Sequence, residues 1–333
     1  MCPGFLNTVI NKKKLFSSLT TIILITVSAL FSLSSCCNST NDIKFLQTNK
    51  LVPLFTFVFD DGNETDYIVA KDIFKEEGEV ACSAIVTDWI NTNDHLTVSQ
   101  LHELQNDGWE ILSHTKTHPK LTTISENRIN TELYQSKVVL EHLGLKVNNL
   151  VYPYNKYNDT TIKIAEKYYR SVRGGRKIRY VSISEQYQLV SYANKHTFNK
   201  IKDIIDNAYS EKQWLILFHH RIDARIKLVN KNGKYSPGEN LSFEPSGAIG
   251  KFIKGNSTAM LFVPLSGTPL ANDTVTGQLS GAVAHLDKVD YNDRETIIEL
   301  IEYIHNNYPD MRFVTINEAL DTAIASLRLP FQR

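Results

Sequence analysis

The residues whose types and spacing could do chemistry together lie in a few short segments. Asp60 and Asp61 stand side by side before Gly62, and His114 and His118 lie four apart in Ser113-His114-Thr115-Lys116-Thr117-His118-Pro119. Adjacent carboxylates repel and seldom pack without a cation, although an Asp-Gly pair also makes an ordinary acidic turn. Two histidines four apart can share a metal on one helical face or in a tight loop. Pro119 disfavours the α conformation at His118, which favours the loop. One carboxylate and two imidazoles with positions left open make the donor set of a hydrolytic metal site. His219 ends the apolar run Leu215-Ile216-Leu217-Phe218. A histidine there is poorly placed to be a surface residue, and its other reading is a core histidine bonded to backbone.

These segments need a scaffold, and the pattern supplies one. Strand-like runs cover Pro53–Phe59, Val80–Val86, Gly108–Leu112, Val147–Tyr152, Trp214–Phe218 and Arg312–Ile316. Helix-like runs alternate with them over Asp66–Phe74, Leu96–Asn106, Ser125–Leu143, Asp159–Tyr169, Thr197–Tyr209, Asp293–Asn307 and Asn317–Ser326. Such β/α alternation implies an α/β fold with a mainly parallel sheet covered by helices, whose functional groups gather where strands end. Periodicity leaves open whether the sheet closes. Residues 224–290 break the rhythm: they are rich in Gly, Ser, Asn, Lys and Pro, with strand-like pieces such as Ala259–Val263, and read as an insertion of β character.

Composition narrows the function classes. In 333 residues, 36 basic side chains balance 36 acidic ones, which excludes the basic footprint of a nucleic-acid binder. Hydrophobic residues make up 42%, too many for a disordered chain. Four cysteines are no disulfide scaffold, and Cys82, in an apolar run, reads as a buried inert thiol. Lys12-Lys13-Lys14 precedes an uncharged apolar run from Leu19 to Leu33, too short for a membrane span and suited to an export signal. The run ends in Leu33-Ser34-Ser35-Cys36, which resembles the bacterial lipobox; an ordinary signal peptide is the alternative. The expected organisation is a lipoprotein signal over residues 1–35 and a tether over 36–50. A catalytic domain over 51–223 and 291–333 is interrupted by the insertion at 224–290. The expected location is exported, periplasmic or at the cell surface, held to the membrane through lipid at Cys36. No protein partner is evident.

Four segments together resemble the polysaccharide deacetylase family, also called the NodB-homology or carbohydrate esterase 4 family. Phe59-Asp60-Asp61-Gly62 is similar to its first motif and His114-Thr115-Lys116-Thr117-His118 to its second, about fifty residues on. Tyr152-Pro153-Tyr154 is similar to the third and Leu215–His219 to the last. The resemblance spans about residues 52–220 and resumes at about 290–320. It implies a distorted (β/α)7 barrel. It also implies a divalent metal, usually zinc and sometimes cobalt or nickel, on Asp61, His114 and His118. By the same resemblance Asp60 is the general base, the backbone N–H of Tyr154 holds the oxyanion, and His219 is the acid for the leaving amine. His219 is preferred to its neighbour His220 by position in the motif.

The implied substrate is an acetylated glycan, with an O-acetyl esterase on hemicellulose or a glycan-binding lipoprotein with a vestigial site as rivals. The chain departs from the pattern in three places. Tyr152 stands near where many members carry an Arg that holds the catalytic Asp; Arg173 either takes over that task or is a plain basic loop residue. Asn155 replaces the usual Gly, a mild change because Asn tolerates the left-handed conformation. The Asp that orients the acid histidine is missing, with Asp223 or a backbone carbonyl as substitutes. Asp88 and Trp89, at the end of the second strand, are placed to line the cleft, although a Trp there is as often core.

Overall fold

The computed structural model describes residues 53–175, 185–194 and 198–328. The expected leader, Cys36 and the tether lie outside the described residues. Among the described residues no helix is long and apolar enough to cross a membrane.

The first part is built on parallel strands: β1 (Leu54–Phe59), β2 (Cys82–Ile85), β3 (Glu110–Ser113), β4 (Asn149–Val151), β5 (Ser171–Arg173), β6 (Tyr192–Ala193) and β7 (Trp214–His219). Their order is β5-β4-β3-β2-β1-β7-β6. A parallel bridge between Arg173 and Leu189 joins β5 to the segment leading into β6, so the two ends of the sheet meet. This is the expected α/β barrel. Its distortion sits at β5 and β6, three and two residues long, which the sequence pattern does not mark as strands.

Alternation along β1 explains why five of its six residues are apolar; the sixth, Thr56, is buried and donates its hydroxyl to the Val314 carbonyl oxygen. Phe55, Phe57 and Phe59 face outward, into a core shared with Phe74, Trp109, Leu101 and Leu133 beneath the helices. Leu54 and Val58 face the ring interior with Cys82, Leu112 and Phe218. Each such phenylalanine, fully buried, contributes roughly 1.5–3 kcal/mol. Cys82 is a free, buried thiol, and burial pushes its pKa up, so it is chemically quiet.

The helices α1 (Lys71–Glu76), α2 (Val98–Asn106), α3 (Glu126–His142), α4 (Asp159–Ala165) and α5 (Phe198–Ser210) connect these strands. Thr97 and Asn158 cap α2 and α4 with reciprocal capping boxes.

The insertion is a second ring. Strands β8 (Ala224–Asn232), β9 (Asn240–Glu244), β10 (Ile249–Gly255), β11 (Ala259–Ser266), β12 (Thr274–Gly277) and β13 (Val283–Asn292) form a closed antiparallel barrel in the order β10-β11-β8-β13-β12-β9. Buried and exposed residues alternate along the first half of β8, as a one-sided strand requires. The barrel has its own core around Phe243, Phe262, Val275 and Leu286. Val263 of β11 joins the core of the parallel ring instead, with Ile253 and Leu265 packed beside it, and so seats one ring on the other. After the barrel the chain returns through α6 (Asp293–Asn307), a short strand β14 (Arg312–Phe313) beside the start of β1, and α7 (Ile316–Arg328). Ile316, Ala319 and Leu320 of α7 fill the ring at the end where the strands begin, opposite the loops that carry the site.

Candidate active site

Asp60 and Asp61 leave β1 through a turn in which Asp61 has φ +81° and Gly62 φ +66°. A Cβ at position 62 would meet Ile85 Cδ1 at 3.0 Å, so the turn needs both the freedom and the smallness of glycine. His114 follows β3. Its Nδ1 lies 2.8 Å from the carbonyl oxygen of Val151. A carbonyl only accepts, so Nδ1 carries the proton and Nε2 presents a lone pair. His118 sits in a loop, with φ +59°, as Pro119 implies. The His118 N–H donates to Thr115 Oγ1. The Thr117 N–H and hydroxyl both donate to Glu132, a buried carboxylate on α3.

These elements bring three donors together. Asp61 Oδ1 lies 3.5 Å from Nε2 of His114 and 3.5 Å from Nε2 of His118, and the two Nε2 atoms are 3.2 Å apart. Asp61 Oδ1 is buried without a hydrogen-bond partner. Burial alone would raise the Asp61 pKa, but the nearby His114 above all, with His220 and His118, outweighs it and holds the carboxyl at about 2. Burial, and then the neighbouring His114, push His118 down to about 4. At neutral pH the set therefore includes an ionised carboxylate and a neutral His118. That donor chemistry fits a zinc-like divalent ion.

Asp60 is held separately. Arg173 Nη2 donates to both of its oxygens, at 2.5 and 2.6 Å. Arg173 is itself fully buried at the end of β5, with Nη1 donating to Asn155 Oδ1 at 2.9 Å and Ser191 Oγ at 3.1 Å, and its guanidinium lies 4.7 Å from the Phe218 ring centre. Of the two readings of Arg173, the basic loop residue is excluded. A Cβ on the next residue, Gly174, would stand 2.7 Å from the Tyr152 ring, so the backbone passes there only as glycine. Asn155, left-handed at φ +54°, tolerates that conformation and also helps hold the arginine.

Tyr154 is left-handed too, and its exposed ring lies 4.7 Å from that of His118. Trp89 flanks His118 on another side at 5.3 Å and touches the His95 ring at 5.1 Å. Asp88 beside it pairs with Lys116.

His219 and His220 stand on opposite faces. In the parallel register of β1 and β7, Phe59 stands beside His219. Neighbouring residues in register share a face, so His219 turns with Phe59 toward the outer layer, its ring 6.4 Å from Phe59. His220 falls on the inward face, 5.8 Å from the Phe218 ring, with Nε2 4.0 Å from Asp61 Oδ2. His219 Nδ1 points at the Asn194 carbonyl oxygen at 3.3 Å. Its Nε2 lies 3.3 Å from Asp293 Oδ2 without the alignment of a hydrogen bond. The carboxylate beside His219 is thus Asp293, at the start of α6. The Asp223 side chain accepts instead from the Tyr291 hydroxyl. Only a helix-capping signal marks Asp293 in the sequence, and it lies beyond the whole insertion.

Residues 49–171, which carry Asp60, Asp61, His114, His118 and Tyr154, match the family model described as polysaccharide deacetylase. This segment resembles the polysaccharide deacetylase family. Over 110 residues the chain is 31% identical to a putative polysaccharide deacetylase of Bacillus subtilis, covering 33% of this chain and 39% of that protein. The chain thus spans about two fifths of the curated relative it matches. Among solved structures it is similar to a Streptococcus pyogenes deacetylase in complex with acetate, at 26% identity and a TM-score of 0.41, over 46% of this chain and 70% of that one. It is also similar to the Xyl-CE4 domain of a multidomain xylanase from the hindgut metagenome of Trinervitermes trinervoides, at 17% identity and a TM-score of 0.43, over 81% of this chain and 90% of that one.

Proposed function

We propose that the protein is a metal-dependent hydrolase that removes acetyl groups from N-acetylated sugars of a polysaccharide or oligosaccharide. The observation that carries this reading is the convergence of Asp61, His114 and His118, from two separate loops, within one coordination-sized cluster. A divalent ion held there, zinc before cobalt or nickel, supplies Lewis acidity that activates water and polarises an acetyl carbonyl.

The chain's own residues do the rest. Asp60, fixed by Arg173, takes the proton of the attacking water. The Tyr154 backbone N–H, aimed by its left-handed residue, stabilises the oxyanion. His220, on the inward face beside Asp61, returns a proton to the leaving amine, so that acetate and a free amino sugar depart. His219 braces the end of β7 through Asn194 and Asp293. The motif at residues 33–36 supports export and attachment to a membrane through lipid at Cys36.

The test is acetate release from N-acetylglucosamine oligomers by purified protein. Release should disappear with a chelator, return with zinc or cobalt, and be absent in Asp60→Asn. A metal-loaded protein that frees no acetate from any glycan would overturn the proposal. Faster turnover of O-acetylated xylan than of N-acetylated oligomers would move it to the esterase reading.

A further inference from the structure

Where the antiparallel barrel meets the parallel ring lies a cavity of about 470 Å³. That falls within the usual range of a small-molecule site. One wall comes from the ring and includes Glu64, Asn93, His95 and Arg221; the other comes from the barrel and includes Lys251 and Phe252. The cavity adjoins the candidate active site through shared structure. Glu64 continues the turn that holds Asp61, and Arg221 directly follows His220. The His95 ring packs on Trp89, whose other neighbour is His118. The far wall is held in place, because Val263 of the barrel is part of the ring's core.

Its chemistry is selective. Each cation is matched by an acid: Lys251 Nζ lies 3.1 Å from Glu64, and Arg221 lies 3.9 Å from Asp94. Such a surface offers no surplus charge to a phosphate or a polyanion. It offers the donors and acceptors of Thr92, Asn93, Thr97 and Gln100 beside the apolar Phe252 and Ile253. A ligand that donates and accepts at every unit and also carries C–H faces is a neutral sugar chain.

We propose that this cavity is a distal subsite for an uncharged glycan, built jointly by the ring and the insertion, so that the insertion sets the length of chain the enzyme prefers. The inference rests on the glycan-deacetylase reading, but it is testable by binding alone. Calorimetric titration of the full protein under chelator, where no turnover occurs, would use N-acetylglucosamine oligomers from the disaccharide to the hexasaccharide and, in parallel, acetylated xylo-oligosaccharides. In at least one series affinity should rise with length. Lys251→Ala should weaken the hexasaccharide by about 2–10-fold, the worth of one hydrogen bond, and leave the disaccharide unchanged. Asn93→Trp, an exposed loop position at the cavity, should fill it and abolish the length dependence. Length-independent affinity, no binding in either series, or variants that bind the long chains as the wild type does would each overturn the subsite. Failure of the deacetylase reading would show separately, as no acetate released by the metal-loaded protein.

Discussion

The antiparallel barrel and the turn after β1 use hidden carboxylate oxygens in opposite ways. In the antiparallel barrel, Glu239 accepts from the backbone of Ser236, Leu279 and Ser280, and Asp273 from that of Ser246 and Leu270. Those acids hold turns, and their lone pairs point at amides. In the parallel ring, Asp61 Oδ1 is equally hidden but faces two imidazoles and has no hydrogen bond. Burial of an acid therefore does not mark a site. What marks it is the mismatch between the acid and its neighbours, because an unsatisfied buried oxygen is costly unless a cation completes it.

The comparison is open to attack at several points. The largest effect is expected from His114→Ala, which should abolish bound metal by elemental analysis and lower acetate release by more than the ~10–100-fold typical of an outer-shell partner. The two adjacent histidines come next. His220→Ala should cost about 10²–10⁴ in kcat, the range of a general acid, while His219→Ala should act mainly on stability; the reverse ranking would restore His219 as the acid. Arg173→Ala leaves Asp60 buried without its partner and should destabilise the fold by about 3–5 kcal/mol in denaturant unfolding.

Phe243→Ala, in the separate core of the barrel, should cost a similar ~3–5 kcal/mol yet leave metal affinity unchanged. Loss of metal along with the barrel would show that the two rings are not independent. The smallest effect concerns pH. Glu110, at the start of β3, is buried, and burial pushes its pKa up to about 7, against hydrogen bonds from the Asn317 N–H and the Asn149 amide. Its raised value means that the folded state keeps a proton the unfolded state has lost. Stability from this group is full below about pH 4.5. It declines toward pH 7 with a slope of at most ~1.4 kcal/mol per unit. Glu110→Gln should remove that slope in a series of pH-dependent melts.

Much of the ring was legible from periodicity. A strand buried on both faces is almost wholly apolar, as Trp214–Phe218 is and as Leu54–Phe59 is apart from Thr56, and a long capped helix such as Glu126–His142 announces itself. Strands β5 and β6 escaped because they are three and two residues long and, unlike the equally short β4 and β14, lie in no longer strand-like run. The barrel strands escaped, beyond a general β character, because one-sided strands broken by turn residues are individually weak signals.

By itself, the sequence determined the donor types. Asp-Asp-Gly and His-x-x-x-His have the chemistry of a metal site wherever they are placed, since carboxylate and imidazole bring their lone pairs with them. Only the tertiary structure decided the pairings. Arg173 reaches Asp60 from a strand four places away in the sheet order, and the lateral register of β1 against β7 turns His220 inward and His219 outward. The reason is that a strand's register is a relation between distant segments, settled by the packing of both faces at once, and no single stretch of chain contains it.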